Sequence, residues 1–439
     1  MRQPDYHNVL DALPKLVVGT FSPFEKLEGR ILKLDTTLLR AHLPGVSLGE
    51  LCTLPDGSPA EVIAIEEEQA LLSPYREPLG LACGMLVSPT GRRASIGVGP
   101  ALLGRVVNAL GHPADQLPNP HVECWLPLDA EPPEPLTRTL IDTALPMGVR
   151  AIDAALTVGI GQRLGIFAPA GCGKSTLLGM LAAGCDAEVI VIALIGERGR
   201  EVREFLELVM PPDLRKRCVV VLATSDRPAL ERLKAAATAT TIAEYFRDRG
   251  NKVLLLVDSL TRYARAIREI ALAAGEPMVG SGYPPSLYAR LPRLLERAGP
   301  ASKGSITAFY TVLMEDKGDP LAEEVRSLLD GHIILSRRLA EANHYPAIDV
   351  LASISRVMHQ VSNREHFDAA GRLRHLLAAW QEIELLVRVG EYKEGQDREA
   401  DEAISRRPAI QTLLCQKVNE SVTLAQTLSA LSDAVGLPC

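Results

Sequence analysis

No stretch of this 439-residue chain approaches the ~18 uninterrupted apolar residues of a membrane-spanning helix. Its opening, MRQPDYHNVLDALPKL, has no long apolar segment behind a basic start. A protein made and kept in the cytoplasm is expected. Basic excess is missing too: 47 Lys and Arg stand against 54 Asp and Glu, a net charge of -7, so there is no overall positive field for sequence-independent nucleic-acid binding. Nor is there a C-x-x-C pair or a His cluster at zinc-ligand spacing. The eight cysteines (Cys52, Cys83, Cys124, Cys172, Cys185, Cys218, Cys415 and Cys439) therefore read as reduced thiols, mostly buried. No internal repeat or low-complexity tract stands out. What is present is ordinary globular material, 47% apolar and 23% charged, which excludes a disordered or fibrous chain. The length is about three times the ~150-residue domain mode, so two or three domains are expected.

From about Phe24 to Val98 the chain reads as short β-rich runs, GRILKL, TLLRAHL, AEVIAIE and QALLSPY. Turn signals at Pro44-Gly45, Pro55-Asp56-Gly57 and Gly80 break them, a rhythm that predicts a small antiparallel barrel. Seven prolines in the 23 residues from Pro113 to Pro135 exclude a helix interior or central strand and predict a surface strap. Beyond it, RLGIFA, VIVIALI, CVVVLA and KVLLLVD alternate with helical stretches, as in a parallel sheet buried on both faces. From Ser362 the pattern is helical. Phe367, Leu373, Leu376, Trp380, Ile383 and Val387 recur every three or four residues, with Ser362 or Asn363 placed to cap the first turn. The expected fold is α/β, a P-loop parallel-sheet core at 99–361 between a β-barrel at 24–98 and a helical domain at 362–439. An N-terminal segment, the first 23 residues, is expected to serve oligomerisation.

RLGIFA runs into APAGCGKST and then LLGMLAAG, the strand, glycine loop and helix that a phosphate-binding loop requires. Gly171 and Gly173 let backbone N–H groups, with those of Ala170 and Cys172, turn toward a phosphate at a helix N-terminus. Lys174 reaches the β- and γ-phosphates, Ser175 offers its hydroxyl to Mg²⁺, and Thr176 completes the first helical turn. Ala168 stands where the strict pattern has its first glycine. Glu197 follows VIVIALI and emerges at the same sheet edge, where a carboxylate polarises water for attack on the γ-phosphate; taken alone it would read as a helix-start acid or a partner of Arg198. Asp258 ends the apolar run Val253–Val257, as a carboxylate that binds Mg²⁺ through water does. Its plain alternative is an N-cap of the next helix.

GERGREVREF, ATTIAEYFRD, DSLTRYARA, REIALAAGEP, GYPPS, LPRLLERAG, KGSITAFYTVL, LLDGHIILSRRLAE, HYPAID and LASISRVM together resemble the type III secretion ATPases. These are homohexameric relatives of the catalytic subunit of rotary ATP synthases. The resemblance runs from about residue 24 to about residue 395. It implies ATP and Mg²⁺ as substrate and cofactor, Lys174 and Ser175 as phosphate and Mg²⁺ ligands, and Glu197 as the catalytic carboxylate. By the same resemblance Glu201 and Arg262 support the site, Asp258 holds the metal through water, Tyr345 stacks on adenine, and Arg356 is an arginine finger offered to a neighbouring subunit. Without the family, Tyr345 reads as a core tyrosine and Arg356 as a surface ion pair. The loop Met278–Pro285 faces a central channel and a stalk protein by analogy.

The function so implied is ATP hydrolysis at the cytoplasmic base of a type III secretion apparatus, peripheral to the inner membrane. It would release chaperones from secreted substrates and unfold them. The implied partners are the stalk, a stator or regulator protein, the export gate and chaperone–substrate complexes, with no nucleic acid. Three alternatives compete. A flagellar export ATPase shares the chemistry, though TSDRPALER and EVRSLLDG look more like the injectisome branch. A non-catalytic ring subunit lacks the acid that this chain has at Glu197, and a RecA-like nucleic-acid motor is opposed by the acidic balance.

Overall fold

The computed structural model describes residues 28–279, 282–315 and 318–437; the segment 1–23 expected to serve oligomerisation lies outside them. Two compact units divide between Arg93 and Ala94. In the first, six strands close into an antiparallel barrel: β1 (Gly29–Leu34), β2 (Leu39–His42), β3 (Glu50–Thr53), β4 (Pro59–Glu66), β5 (Gln69–Pro74) and β6 (Leu86–Arg93), in the order β1-β2-β5-β4-β3-β6. Alternate side chains point inward. Ile31, Leu39, Ala41, Cys52, Val62, Leu72 and Val87 accordingly form its core.

The strand β6 escapes the sequence pattern because LVSPTGRR contains Pro89 and little alternation. Its pairing with β3 shifts register between Glu50↔Arg93 and Cys52↔Pro89, and the bulge is tied down by polar bonds. The Glu50 carboxylate accepts the Gly91 N–H at 2.7 Å, and the Thr90 hydroxyl donates to the Leu51 carbonyl at 2.6 Å. A proline is tolerated there because the irregular ladder needs no N–H from it. The barrel therefore ends at Arg93 and not at residue 98. The run β7 (Ser95–Val98) pairs instead with β9 (Cys124–Pro127), a short strand inside the proline-rich strap.

The second unit is built on a nine-stranded sheet. Its strands are β8 (Val106–Asn108), β10 (Arg163–Ala168), β11 (Val189–Ile195), β12 (Cys218–Ala223), β13 (Lys252–Asp258), β14 (Gly299–Pro300), β15 (Ser305–Leu313), β16 (Gly331–Leu335) and β17 (Ile348–Ser355). They run β17-β16-β10-β15-β13-β11-β12-β8, with β14 beside β15. Every residue of VIVIALI is buried, as expected of a strand covered by helices on both faces. Strands β10, β11, β13 and β15 are mutually parallel through their pairings, so the loops after them emerge at one edge.

Three helices, Arg364–Arg388, Arg398–Leu414 and Leu424–Val435, complete the described chain. The Asn363 side chain caps the first by accepting the His366 N–H at 2.8 Å. The helical stretch does not stand apart as a lobe with its own core. Leu373, Leu376, Ile410, Leu413, Leu431 and Val435 join the same apolar cluster as Ile152, Leu164 and Leu177 beneath the sheet. No helix among the described residues is long and apolar enough to cross a membrane. Of the cysteines, Cys52, Cys172, Cys185 and Cys218 are buried, Cys83 and Cys124 exposed and Cys415 half-buried, all unpaired; Cys439 lies outside the described residues.

Candidate nucleotide site

Strand β10 delivers the glycine loop. Ala168 is its last, fully buried residue, paired with Leu313 of β15, and its carbonyl accepts the Met314 N–H at 3.0 Å. An extended strand position accommodates a Cβ, so alanine there does not disturb the loop. The special backbone begins later, where Gly171 and Gly173 have φ of 80° and 81°. Gly173 precedes the helix Lys174–Gly184, whose first turn carries Ser175 and Thr176 exposed to the site. The free N–H groups of that turn are the usual anchor for a phosphate.

Three charged side chains converge behind this loop. The Lys174 ammonium forms a close ion pair with Asp258 Oδ1 and lies 3.7 Å from Glu197 Oε1. The Thr311 hydroxyl, from β15, donates to the same Asp258 oxygen at 2.7 Å. Asp258 is therefore not the N-cap of the helix that follows. Ser259 takes that role, accepting the Arg262 N–H. Glu197 likewise does not pair with Arg198, which is exposed and faces Glu201 at 3.9 Å.

Glu197 has its carboxyl pushed up to about 7. Burial is the main cause and the neighbouring Asp258 charge the next; Lys174 works in the opposite direction, and a hydrogen bond with Glu201 favours the protonated form. Arg262 packs across the backbone just before Glu197. A Cβ on Gly196, whose φ is 67°, would come within 2.9 Å of the Arg262 side chain, so the close approach requires glycine. The buried Arg262 Nε has no protein partner among the described residues.

Tyr345 comes to the same loop from the connection between β16 and β17, at the same edge of the sheet. It is 40% exposed, and its ring lies 3.5 Å from where a Gly173 Cβ would stand, so it is not a core tyrosine. Arg356 is not part of this cluster. It follows β17, its backbone N–H donating to the Asp330 carbonyl at 3.0 Å, while the Asp330 N–H donates to the carbonyl of Arg163, the first residue of β10. Arg356 thus leaves the sheet at the edge opposite the glycine loop. It lines a cleft of about 730 Å³ with His332, His359, Phe367 and Arg374.

The loop expected to face a stalk leads into the helix Pro285–Leu295, and the Glu276 carboxylate accepts the Ser286 N–H at 2.8 Å; Gly280 and Ser281 lie outside the described residues. Thr311 escaped the sequence reading because a threonine in SITAFYTVL, which has two, is indistinguishable from an ordinary β-branched strand residue.

Residues 148–355 match the ATP synthase alpha/beta family, nucleotide-binding domain, and residues 362–433 match the T3SS EscN ATPase C-terminal domain. The SPI-2 type 3 secretion system ATPase of Salmonella typhimurium is 57% identical over 395 residues, covering 89% of this chain and 91% of that protein. The flagellum-specific ATP synthase of Bacillus subtilis is 47% identical over 419 residues, 94% of this chain and 96% of that one. Among solved structures, the assembled ATPase EscN of the enteropathogenic E. coli type III secretion system superposes with a TM-score of 0.90 at 52% identity, covering 93% of this chain and 100% of that one. EscN in complex with its central stalk EscO gives 0.88 at the same identity and coverage. Identity at this level, running from the barrel through the C-terminal helices, places the chain in the family of type III secretion system ATPases, whose ATP hydrolysis drives type III protein secretion.

Proposed function

We propose that the site formed by Gly171, Gly173, Lys174, Ser175, Glu197 and Asp258 hydrolyses Mg²⁺·ATP, and that the enzyme works as a ring of six copies in which Arg356 of one copy serves the site of the next. The observation that carries this reading is the juxtaposition of Lys174, Glu197 and Asp258 at the carboxyl edge of the sheet. In the free protein the Lys174 charge is held by the two carboxylates. An incoming phosphate offers it a stronger partner, which frees Asp258, a carboxylate that would hold Mg²⁺, and Glu197, which faces the position of the attacking water. The donor set fits Mg²⁺, since the Ser175 hydroxyl and the Asp258 carboxylate are hard oxygen ligands of the kind that share the ion with phosphates. Mg²⁺ supplies neutralisation of the developing phosphate charge.

Glu197 then orients and polarises water, and its raised proton affinity suits a base acting near neutral pH. Glu201 holds the Glu197 carboxyl by a hydrogen bond. Arg262, half-buried with its buried Nε unpartnered among the described residues beside Gly196, supplies positive charge to the phosphate side. Tyr345, half-exposed above Gly173, provides a face on which adenine stacks. The position of Arg356 supports a finger given in trans, because it leaves the sheet on the side away from its own glycine loop.

The enzyme so assembled would act in the cytoplasm at the inner-membrane base of the secretion apparatus. There it would release chaperones from secreted substrates and pass them, unfolded, to the export gate. Its Met278–Pro285 loop would turn toward a central stalk, and a stator protein would regulate it. Steady-state ATPase activity measured against protein concentration tests the shared site. Specific activity should rise steeply as rings assemble. Specific activity that stays constant down to the monomer would overturn it.

A further inference from the structure

The short segment after the helix Arg398–Leu414 holds the wall on which the base would rest. Gln416 is 6% exposed, and its backbone N–H and both polar atoms of its side chain have protein partners. Its backbone N–H donates to the Tyr345 carbonyl at 2.9 Å. Its side-chain oxygen accepts the Arg150 N–H at 2.8 Å, while its amide nitrogen donates to the Gly148 carbonyl at 2.8 Å and the Glu420 carbonyl at 2.9 Å. A buried amide with both hydrogens and its oxygen engaged has one orientation available. The preceding residue reinforces it, for Cys415 Sγ lies 3.3 Å from Nδ1 of buried His344, the neighbour of Tyr345. Arg150 locks the segment from the other side by donating to the Leu413 carbonyl at 3.0 Å and pairing with Glu420.

Gly148, which Gln416 binds, packs so closely on Gly184 at the far end of the helix Lys174–Gly184 that a Cβ there would come within 2.7 Å of the Gly184 backbone. One residue therefore joins the Tyr345 backbone, through its own N–H, to the segment packed on the foot of the phosphate-binding helix and to the C-terminal helices, through its side chain. None of the phosphate-binding groups, Gly171, Gly173 or Lys174, is among its partners.

We propose that Gln416 is a positioning residue that holds Tyr345 over the glycine loop, so that the C-terminal helices set the affinity for the nucleotide base without touching the phosphates. This rests on the reading of Tyr345 as the base-stacking residue. A shift of the C-terminal helices, by whatever binds them, is then felt at the nucleotide as a change in base affinity.

The test compares ADP with inorganic pyrophosphate, both with Mg²⁺, by calorimetric titration of the full-length protein, alongside ATPase kinetics. Gln416→Ala should weaken ADP binding and raise KM about tenfold, the scale of one lost base–aromatic stack. Pyrophosphate affinity and kcat should be unchanged. Tyr345→Ala should likewise weaken ADP binding and not pyrophosphate binding, and the double variant should lose little more ADP affinity than either single one, because both act through one contact. If Gln416→Ala fails to fold, Gln416→Met, which keeps the volume and loses the side-chain bonds, replaces it. Equal loss for ADP and pyrophosphate, or no loss for either, in the folded Gln416 variant would overturn the proposal while Tyr345→Ala still shows a base-dependent loss. Absence of that loss in Tyr345→Ala would refute the base-stacking reading and the proposal with it.

Discussion

Replacing Arg356 with Ala separates two roles whose magnitudes do not overlap. In its own chain Arg356 is exposed, and its guanidinium makes one long contact, 3.5 Å to the Arg326 carbonyl. Losing that contact costs less than ~1 kcal/mol. Its own glycine loop is out of reach. Arg356 stands level with the start of β10 and the loop begins after its end, five residues further along, or roughly 16 Å at the rise of a strand. Two strand spacings of about 4.8 Å add to this, which exceeds an extended arginine side chain. A finger acting in the transition state is worth about 10³ to 10⁵ in rate. Arg356→Ala should therefore keep the melting temperature and nucleotide affinity of the parent while turnover collapses. Lys174→Ala, inactive because the phosphate cation is gone, supplies the complement. Mixed rings contain interfaces with an intact pocket from the Arg356 variant and an intact arginine from the Lys174 variant, so they should recover activity that neither shows alone. The assay is ATP turnover of rings whose mixed composition is verified by mass spectrometry. Verified mixed rings without recovery, together with near-normal turnover of Arg356→Ala alone, would reduce Arg356 to a surface residue.

Glu197→Gln keeps volume and hydrogen bonding but removes the carboxylate, so ATP should bind near normally while turnover drops by about 10² or more in a single-turnover assay. Because burial and Asp258 push the Glu197 carboxyl up to about 7, the ionised form accumulates only as pH rises through that value. The profile of kcat/KM should thus show an acid limb near pH 7; a limb near the ordinary carboxylate range would contradict the burial argument. Thr311→Val removes the hydroxyl that donates to Asp258, and should cost about 1–3 kcal/mol in denaturant unfolding and raise the Mg²⁺ concentration for half-maximal activity. If neither moves, that hydrogen bond does not orient the carboxylate. Deleting residues 401–439 strips Ile410, Leu413, Leu431 and Val435 from the shared core, together with the Gln416 clasp, so the product should lose its cooperative melting transition. A truncated protein that melts like the parent and binds ADP normally would show the C-terminal helices to be separable after all.

Local pattern carried much of this molecule. Four apolar runs became the buried strands β10 to β13, and the barrel runs kept their alternation, because strand period and burial on one or two faces are written residue by residue. The glycine loop was equally legible, since φ near 80° at Gly171 and Gly173 admits few residues other than glycine. Asp258 and Glu197 were placed at the right edge by the rule that parallel strands open their carboxyl ends together. What pattern could not supply was everything formed between distant segments. Strand β6 hid behind Pro89 because a bulge and Glu50, far away in sequence, make the proline harmless. Thr311 acquires meaning only beside Asp258, and Gln416 only where it meets Tyr345, Arg150 and Gly148. The C-terminal helices read as a domain and match one, but an amphipathic stripe says that a face is buried and not against what. Packing decided that they share the core beneath the sheet, because burial is a property of the pair of surfaces that meet, and only one of the two is written in any local stretch of chain.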